Sequence, residues 1–161
     1  MIDKELLKDT VAQAIDGTDL FIVDINVSPA NEITVTVDSP TGVDIDRCVA
    51  VTRAIEAVFD RDVEDYELEV GSAGITSPMT VRAQFAKNVG NDVEILTRDG
   101  RKLHGVLTAV APGDPADRDV DFTVEVLVRV KEPGMKKAEM RRQSVELSSG
   151  QCKYVRYDLK F

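Results

Sequence analysis

Apolar and polar positions repeat with two different periods along this chain. Leu6, Leu7, Thr10, Val11, Ala14 and Ile15 recur at helical spacing, which predicts an amphipathic helix over residues 2–15. Gly17 is placed to close it, because glycine enters the left-handed conformation of a helix C-terminus freely. The period then changes to two. Phe21, Val23, Ile25 and Val27 alternate with polar neighbours, a turn follows at Ser28–Asn31, and Ile33, Val35 and Val37 alternate again. That pattern predicts a β-hairpin. Asp44 is then expected as an N-cap with Asp46 in the first turn. The helix it opens runs to about Phe59 and is expected to bury Ile45, Cys48, Val49, Thr52, Ile55 and Val58.

Tyr66, Leu68 and Val70 alternate with Glu67 and Glu69, a strand with one wet face, and Gly71 and Gly74 are expected to end it in a turn. Beyond this seam almost everything reads as strand. A short helical connector over residues 81–88 carries Val81, Phe85 and Val89 on one side. Val93 and Ile95 lead to Asp99-Gly100, a strong hairpin signal, and Lys102–Val110 is the return strand, with Gly105 suggesting a bulge or bend. Val120 to Val130 alternates without a break. After Pro133-Gly134 a basic strand (residues 136–145) follows, and in a last strand Val155, Tyr157, Leu159 and Phe161 share a face. The predicted architecture is α+β: an N-terminal α/β sandwich (αββαβ, residues 1–80), then a C-terminal SH3-like (Sm-like) small β-barrel (residues 81–161).

Charge sharpens this division. The net charge is −9, but residues 1–80 hold 5 Lys and Arg against 17 Asp and Glu, and residues 81–161 hold 15 against 12. The balances are −12 and +3. An acidic half suits a basic partner, and the second half tolerates phosphates. Acidic surface that merely maintains solubility fits the same numbers. No apolar run approaches the roughly 18 residues of a membrane span, and acidic residues interrupt the N-terminus where a signal peptide would be apolar. A cytoplasmic protein is the simplest reading.

Candidate chemistry is thin. Residues 38–46 resemble a calcium loop only in their aspartates, since Pro40, Gly42 and Val49 stand where an EF-hand needs oxygen ligands. Cys48 and Cys152 form no CxxC, so no zinc site is indicated. His104 is the single histidine. Ser72 lies in G-S-A-G rather than a G-x-S-x-G elbow, so a hydrolase has no nameable base. No phosphate-binding loop of the G-x-x-x-x-G-K-[ST] type is present. Neither catalysis nor a cofactor, metal or small-molecule substrate is expected. Gly71–Gly74 has the G-x-x-G form of an RNA-clamping loop but contains no basic residue. A candidate RNA surface is Arg98, Arg101 and Lys102 around the hairpin, with Lys136, Lys137, Arg141 and Arg142 on the basic strand. The same cations fit a solvated barrel face protected by charge.

Residues 66–79, Y-E-L-E-V-G-S-A-G-I-T-S-P-M, resemble the signature of the bacterial ribosome maturation factor RimP family, roughly L-E-V-S-S-P-G-[LI]-[DT]-R-P-L. V-D-I-D-R-C, F-A-K-N-V-G-N-D-V-E-I and K-L-H-G-V-L extend the resemblance over essentially the whole chain. Ala73 stands where the family usually has proline, and Ser77 where it usually has arginine. The resemblance implies a non-enzymatic assembly factor that binds the free small ribosomal subunit and helps it mature; a monomer is expected. It also implies an N-terminal α/β domain joined to an SH3-like barrel. On that basis Glu67, Glu69, Gly71, Ser72 and Gly74 are candidates for contacting a basic ribosomal protein, and the basic residues above for contacting rRNA.

Overall fold

In the computed structural model, described for residues 1–159, the chain forms two compact units that part between Gly74 and Ile75. The expectation placed on Phe161 falls outside the described residues. Among the described residues no helix is long and apolar enough to cross a membrane.

The first unit runs α1 (Lys4–Ile15), β1 (Phe21–Val27), β2 (Glu32–Asp38), α2 (Ile45–Val58) and β3 (Glu67–Ser72). Asp3 caps α1, its carboxylate accepting from the Glu5 and Leu6 amides at 3.0 and 3.3 Å, and Gly17 follows the helix at φ +77°. β1 and β2 pair antiparallel; β3 lies parallel to β2 on its other side, so the sheet order is β1-β2-β3. The parallel partner requires a crossover, and α2 provides it. Leu7, Val11, Ile15, Ile33, Val35, Val37, Val51 and Ile55 build a core between the helices and one sheet face.

Three local expectations are corrected here. In α2, Ile45 is 81% exposed and Val49 and Val58 also face solvent, while Val51 and Ile55 enter the core and Cys48 is half-buried. The helix is apolar on several sides, so its sequence alone does not select the face that meets α1 and β3. In β1 a bulge between Ile22 and Asp24 changes the alternation, and Ile22 rather than Phe21 packs on the core. Gly71 does not end β3; the strand continues through Ser72 because β2 still offers Thr36 and Val37 as partners.

Asn31 ties this unit together. It sits in the left-handed region at φ 57°, and its side chain accepts from the Ile2 amide at 3.2 Å. It donates to Glu64 at 3.1 Å and to the Asp65 carbonyl at 3.4 Å, and its own carbonyl accepts from the Glu67 amide at 3.0 Å.

The second unit runs α3 (Arg82–Lys87), β4 (Asp92–Thr97), β5 (Lys102–Val110), β6 (Asp121–Val130), β7 (Glu139–Ser148), a 3₁₀ turn (Ser149–Gln151) and β8 (Cys152–Tyr157). All neighbours are antiparallel, in the order β7-β6-β5-β4-β8. The core holds Met79, Phe85, Val93, Ile95, Leu107, Val120, Phe122, Val124 and Val155, with the Phe85 and Phe122 rings 5.2 Å apart. Gln84 is buried and accepts from the Thr80 and Val81 amides, closing the start of α3. Val89 lies beyond α3 and is 45% exposed, and Leu159 lies beyond β8, so neither extends the face of the element it was expected to share.

Gly105 is not a bulge. It pairs regularly with Val93 on one side and Val126 on the other; the register shift in β5 falls between Leu107 and Ala109. A Cβ on Gly105 would lie 2.3 Å from the Glu125 carbonyl oxygen. Glycine stands here so that β6 can approach. The β4–β5 hairpin is also longer-looped than Asp99-Gly100 alone suggests, since Arg98–Arg101 separate the two strands.

Candidate functional site

The helices of the first unit pack on one face of its sheet, and strand alternation leaves the other face polar. Asp24 and Asn26 from β1, Glu32 and Thr34 from β2, and Glu67 and Glu69 from β3 are exposed there. The register pairs Asp24 with Thr36, Asn26 with Thr34, Glu32 with Glu67 and Thr34 with Glu69, so these residues form one continuous layer. Four carboxylates lie in it, and the strand residues of this face include no Lys or Arg. Asp24 and Glu32 lie far from Glu67 in the chain and were not singled out in the sequence. The signal for them was strand alternation combined with a parallel pairing that only α2's crossover reveals.

Gly71 continues this face without a side chain, and a Cβ there would meet nothing within 4 Å. Ser72 and Gly74 are exposed, with Ser72 the last residue of β3. The five residues of the signature stretch therefore lie along one strand and its exit.

The loop between β2 and α2 is held by side chains rather than by an ion. Arg47 and Thr41 both bind the Asp19 carboxylate, and Arg47 donates to the Gly42 carbonyl at 3.0 Å. These hydrogen bonds, Thr41 first and then Arg47, hold Asp19 below the usual aspartate range. Asp44 accepts from the Arg47 amide at 2.9 Å as the N-cap of α2. Among the described residues no group of three or more His, Cys, Asp or Glu side chains could hold a metal ion.

In the second unit the seven expected basic residues do not form one patch. Arg98 is committed to the fold, donating from Nε to the Gly150 carbonyl at 2.8 Å. Arg101 pairs with Asp99 at 3.2 Å. Lys102 pairs with Glu94 at 2.7 Å, and Arg156 binds the same carboxylate at 2.6 Å. Glu94 is buried, and Lys102 foremost, then Arg156, hold its carboxyl below the usual glutamate range; Glu94 in turn pushes Lys102 up. Arg141 meets Glu132 and Glu139, and Arg142 meets Glu125 at 3.4 Å.

Lys136 and Lys137 lie in the loop before β7, not in the strand. Adjacent strand residues point to opposite faces, so Arg141 and Arg142 are separated by the β6–β7 ribbon itself. Arg142 shares its face with Leu127, Arg129 and Met140, because Leu127 pairs with Arg142 and Arg129 with Met140. Leu127 and Met140 are 61% and 62% exposed. Arg129 was missed in the sequence because it reads there as one polar step of an alternating strand. A cleft of about 330 Å³ beside the 3₁₀ turn brings Arg98 together with Arg118 and Lys153, two further cations that sequence distance concealed.

His104 Nδ1 lies 3.0 Å from Asp158 Oδ2 in the second unit, whereas Ser72 belongs to the first. Burial pushes the Cys152 thiol up, which favours the unreactive protonated form.

A family model described as the RimP N-terminal domain matches residues 10–76. A protein of Porphyromonas gingivalis strain W83 named ribosome maturation factor RimP is 38% identical over 147 residues, covering 91% of this chain and 92% of its own. One of the same name from Flavobacterium psychrophilum is 32% identical over 126 residues, covering 78% and 77%. A third, from Christiangramia forsetii, is 33% identical over 94 residues, covering 58% and 61%. Both the matched domain and the similarity over 91% of the chain run through the strand that carries Glu67 to Ser72, and on that identity and coverage the chain belongs to the ribosome maturation factor RimP family.

Proposed function

We propose that this protein is a non-enzymatic ribosome assembly factor that binds the free small ribosomal subunit in the cytoplasm and assists its maturation as a monomer. The observation that carries the reading is the partition of charge. Residues 71–80 contain no charged side chain, so the balances of −12 and +3 belong to the two units whichever residue in that stretch divides them. Nucleic-acid surfaces repel the first unit and attract the cations of the second; basic ribosomal proteins do the reverse.

In this reading Glu67, Glu69, Gly71, Ser72 and Gly74 engage a basic ribosomal protein. The rRNA contacts come from Lys136, Lys137, Arg141 and Arg142, with Arg98, Arg101 and Lys102 at the other hairpin. Lys136 and Lys137 form no ion pair among the described residues and are the best placed for phosphates. The meander β4–β7, whose last partner β8 returns across the 3₁₀ turn to β4, supports an SH3-like (Sm-like) barrel as the second domain. Such a factor stabilises whichever protein–RNA arrangement it binds best and leaves when the mature surface no longer fits.

Sedimentation of tagged protein from a lysate of its own organism tests this. Co-migration with free small subunits, and absence from large subunits and complete ribosomes, is the expected result. Glu67→Lys with Glu69→Lys should shift at least half of the protein to the top of the gradient. Retention of the double variant on small subunits would remove the acidic surface from the mechanism. Wild-type protein found only at the top at low salt would overturn the function itself.

A further inference from the structure

The outermost strand of the first sheet, β3, has an open backbone edge as well as an acidic face. In the parallel pairing with β2, the Glu67 amide donates to the Asn31 carbonyl at 3.0 Å and the Ala73 amide to the Val37 carbonyl at 3.2 Å. Residues 67, 69 and 71 therefore turn their backbone groups toward β2. Leu68, Val70 and Ser72, between them, turn theirs away. Among the described residues no strand pairs with that side, so three N–H donors and three carbonyl acceptors line the sheet edge with a regular spacing.

Sheet edges are usually blunted by a bulge, a proline, a lysine or a covering element. The other edge, β1, has a bulge between Ile22 and Asp24. β3 has none: its six pairs with β2 follow one register without a shift, and it contains neither proline nor lysine. Its charged side chains are Glu67 and Glu69, both exposed on the open face. On the helical face Leu68 and Val70 are only half-buried, although they pack against the core.

We propose that β3 is a docking edge for an extended, basic segment of a protein partner, which adds to the sheet as a fourth strand. This rests on the reading that the acidic unit engages a basic protein. Charge selects the occupant: a second copy of β3 would bring its own glutamates toward Glu67 and Glu69, and like charges across a strand pair repel. A cationic segment reverses that sign. Strand alternation then specifies its pattern. Basic side chains fall beside Glu67 and Glu69, and apolar ones complete the cover of Leu68 and Val70 on the opposite face. Gly71 leaves room on the acidic face for a long partner side chain to lie across the sheet, since nothing stands within 4 Å of its missing Cβ.

The test compares two peptides of equal charge on the full chain. One is an eight-residue peptide alternating lysine with valine and threonine; the other is the same peptide N-methylated at every backbone amide, which removes the donors of a parallel or an antiparallel strand alike. Binding is read by fluorescence polarisation, and amide hydrogen exchange is read at Leu68, Val70 and Ser72. The unmethylated peptide is expected to bind at least tenfold more tightly and to slow exchange at those three amides. Ser72→Pro removes an outward donor that β2 does not use. It should weaken the unmethylated peptide by a similar factor while leaving the thermal midpoint in place.

Equal affinity for both peptides would overturn strand addition and leave only charge attraction. Absence of binding by either would also overturn it. The wider reading fails separately, if sedimentation with small subunits is unaffected by the Glu67→Lys and Glu69→Lys changes.

Discussion

Gly105→Ala is the sharpest probe of the second unit. The added methyl would sit 2.3 Å from the Glu125 carbonyl oxygen and 2.9 Å from Val126 Cγ1, and the oxygen is backbone that cannot rotate away. Relief to the 3.0 Å that Cβ atoms require means moving β6 outward by 0.7 Å at its pairing with β5. Gly105 is also paired with Val93 of β4, so the strand cannot retreat without straining its second ladder. Weakening about two backbone hydrogen bonds at ~1 kcal/mol each, with the low end of an overpacking penalty, gives about 3 kcal/mol. For a unit of this size that lowers the thermal midpoint by roughly 12–24 °C. Circular dichroism melts of the variant beside Gly150→Ala would measure it. Gly150 has nothing within 4 Å of its Cβ position and a negative φ, so its variant should stay within about 0.5 kcal/mol of wild type. If the two variants melt together, close approach is not why glycine stands at position 105.

Three other outcomes follow from the packing. Tyr66→Phe should cost about 1–2 kcal/mol in urea titrations, since the buried hydroxyl donates to the Phe59 carbonyl at 2.8 Å. The Arg61 guanidinium, 4.8 Å over the ring, keeps its aromatic face and isolates the hydroxyl's share. Glu94 is held below 4.5, so its ion pairs contribute fully above that pH and the contribution is lost as pH falls through the lowered value. Glu94→Gln should therefore unfold at lower urea than wild type at pH 7, with the gap narrowing in acid titrations. Gly71→Ala should leave the melting midpoint within about 0.5 kcal/mol of wild type, because its Cβ position is open, while reducing small-subunit binding in the gradient.

The elements themselves were legible because each carried an unmixed period. Val120 to Val126 alternates cleanly: Val120, Phe122, Val124 and Val126 are buried, while Asp121, Thr123 and Glu125 reach solvent or half-burial as the pattern requires. Helix α2 shows where that logic stops. Ile45, Val49, Val51, Ile55 and Val58 supply apolar residues on more than one side, so two stripes compete, and only the helix's placement over β3 and against α1 selects Val51 and Ile55. Gly71 and Ser72 read as a turn because local preference was the only guide, whereas the length of β2 decides where β3 ends. The basic surface was the least legible. Counting cations ignores their partners, and Lys102 and Arg156 meet on Glu94 only because β5 and β8 flank β4.

The single side chain of Asn31 joins the amide of Ile2, the carboxylate of Glu64 and the carbonyl of Asp65, contacts separated by 29, 33 and 34 positions in the chain. The turn that holds it is local, so β1 and β2 can zip early. Closing the sheet waits for α2 to form and carry residues 64–67 back across it, and loop closure of that length must be completed before its contacts stabilise anything. Asn31 is thus a latch on the last step of assembly in this unit. A substitution such as Asn31→Gly, which removes the side chain but keeps the left-handed turn, should leave the hairpin's formation rate nearly untouched and act on the late phase, and chiefly on how fast the closed sheet reopens.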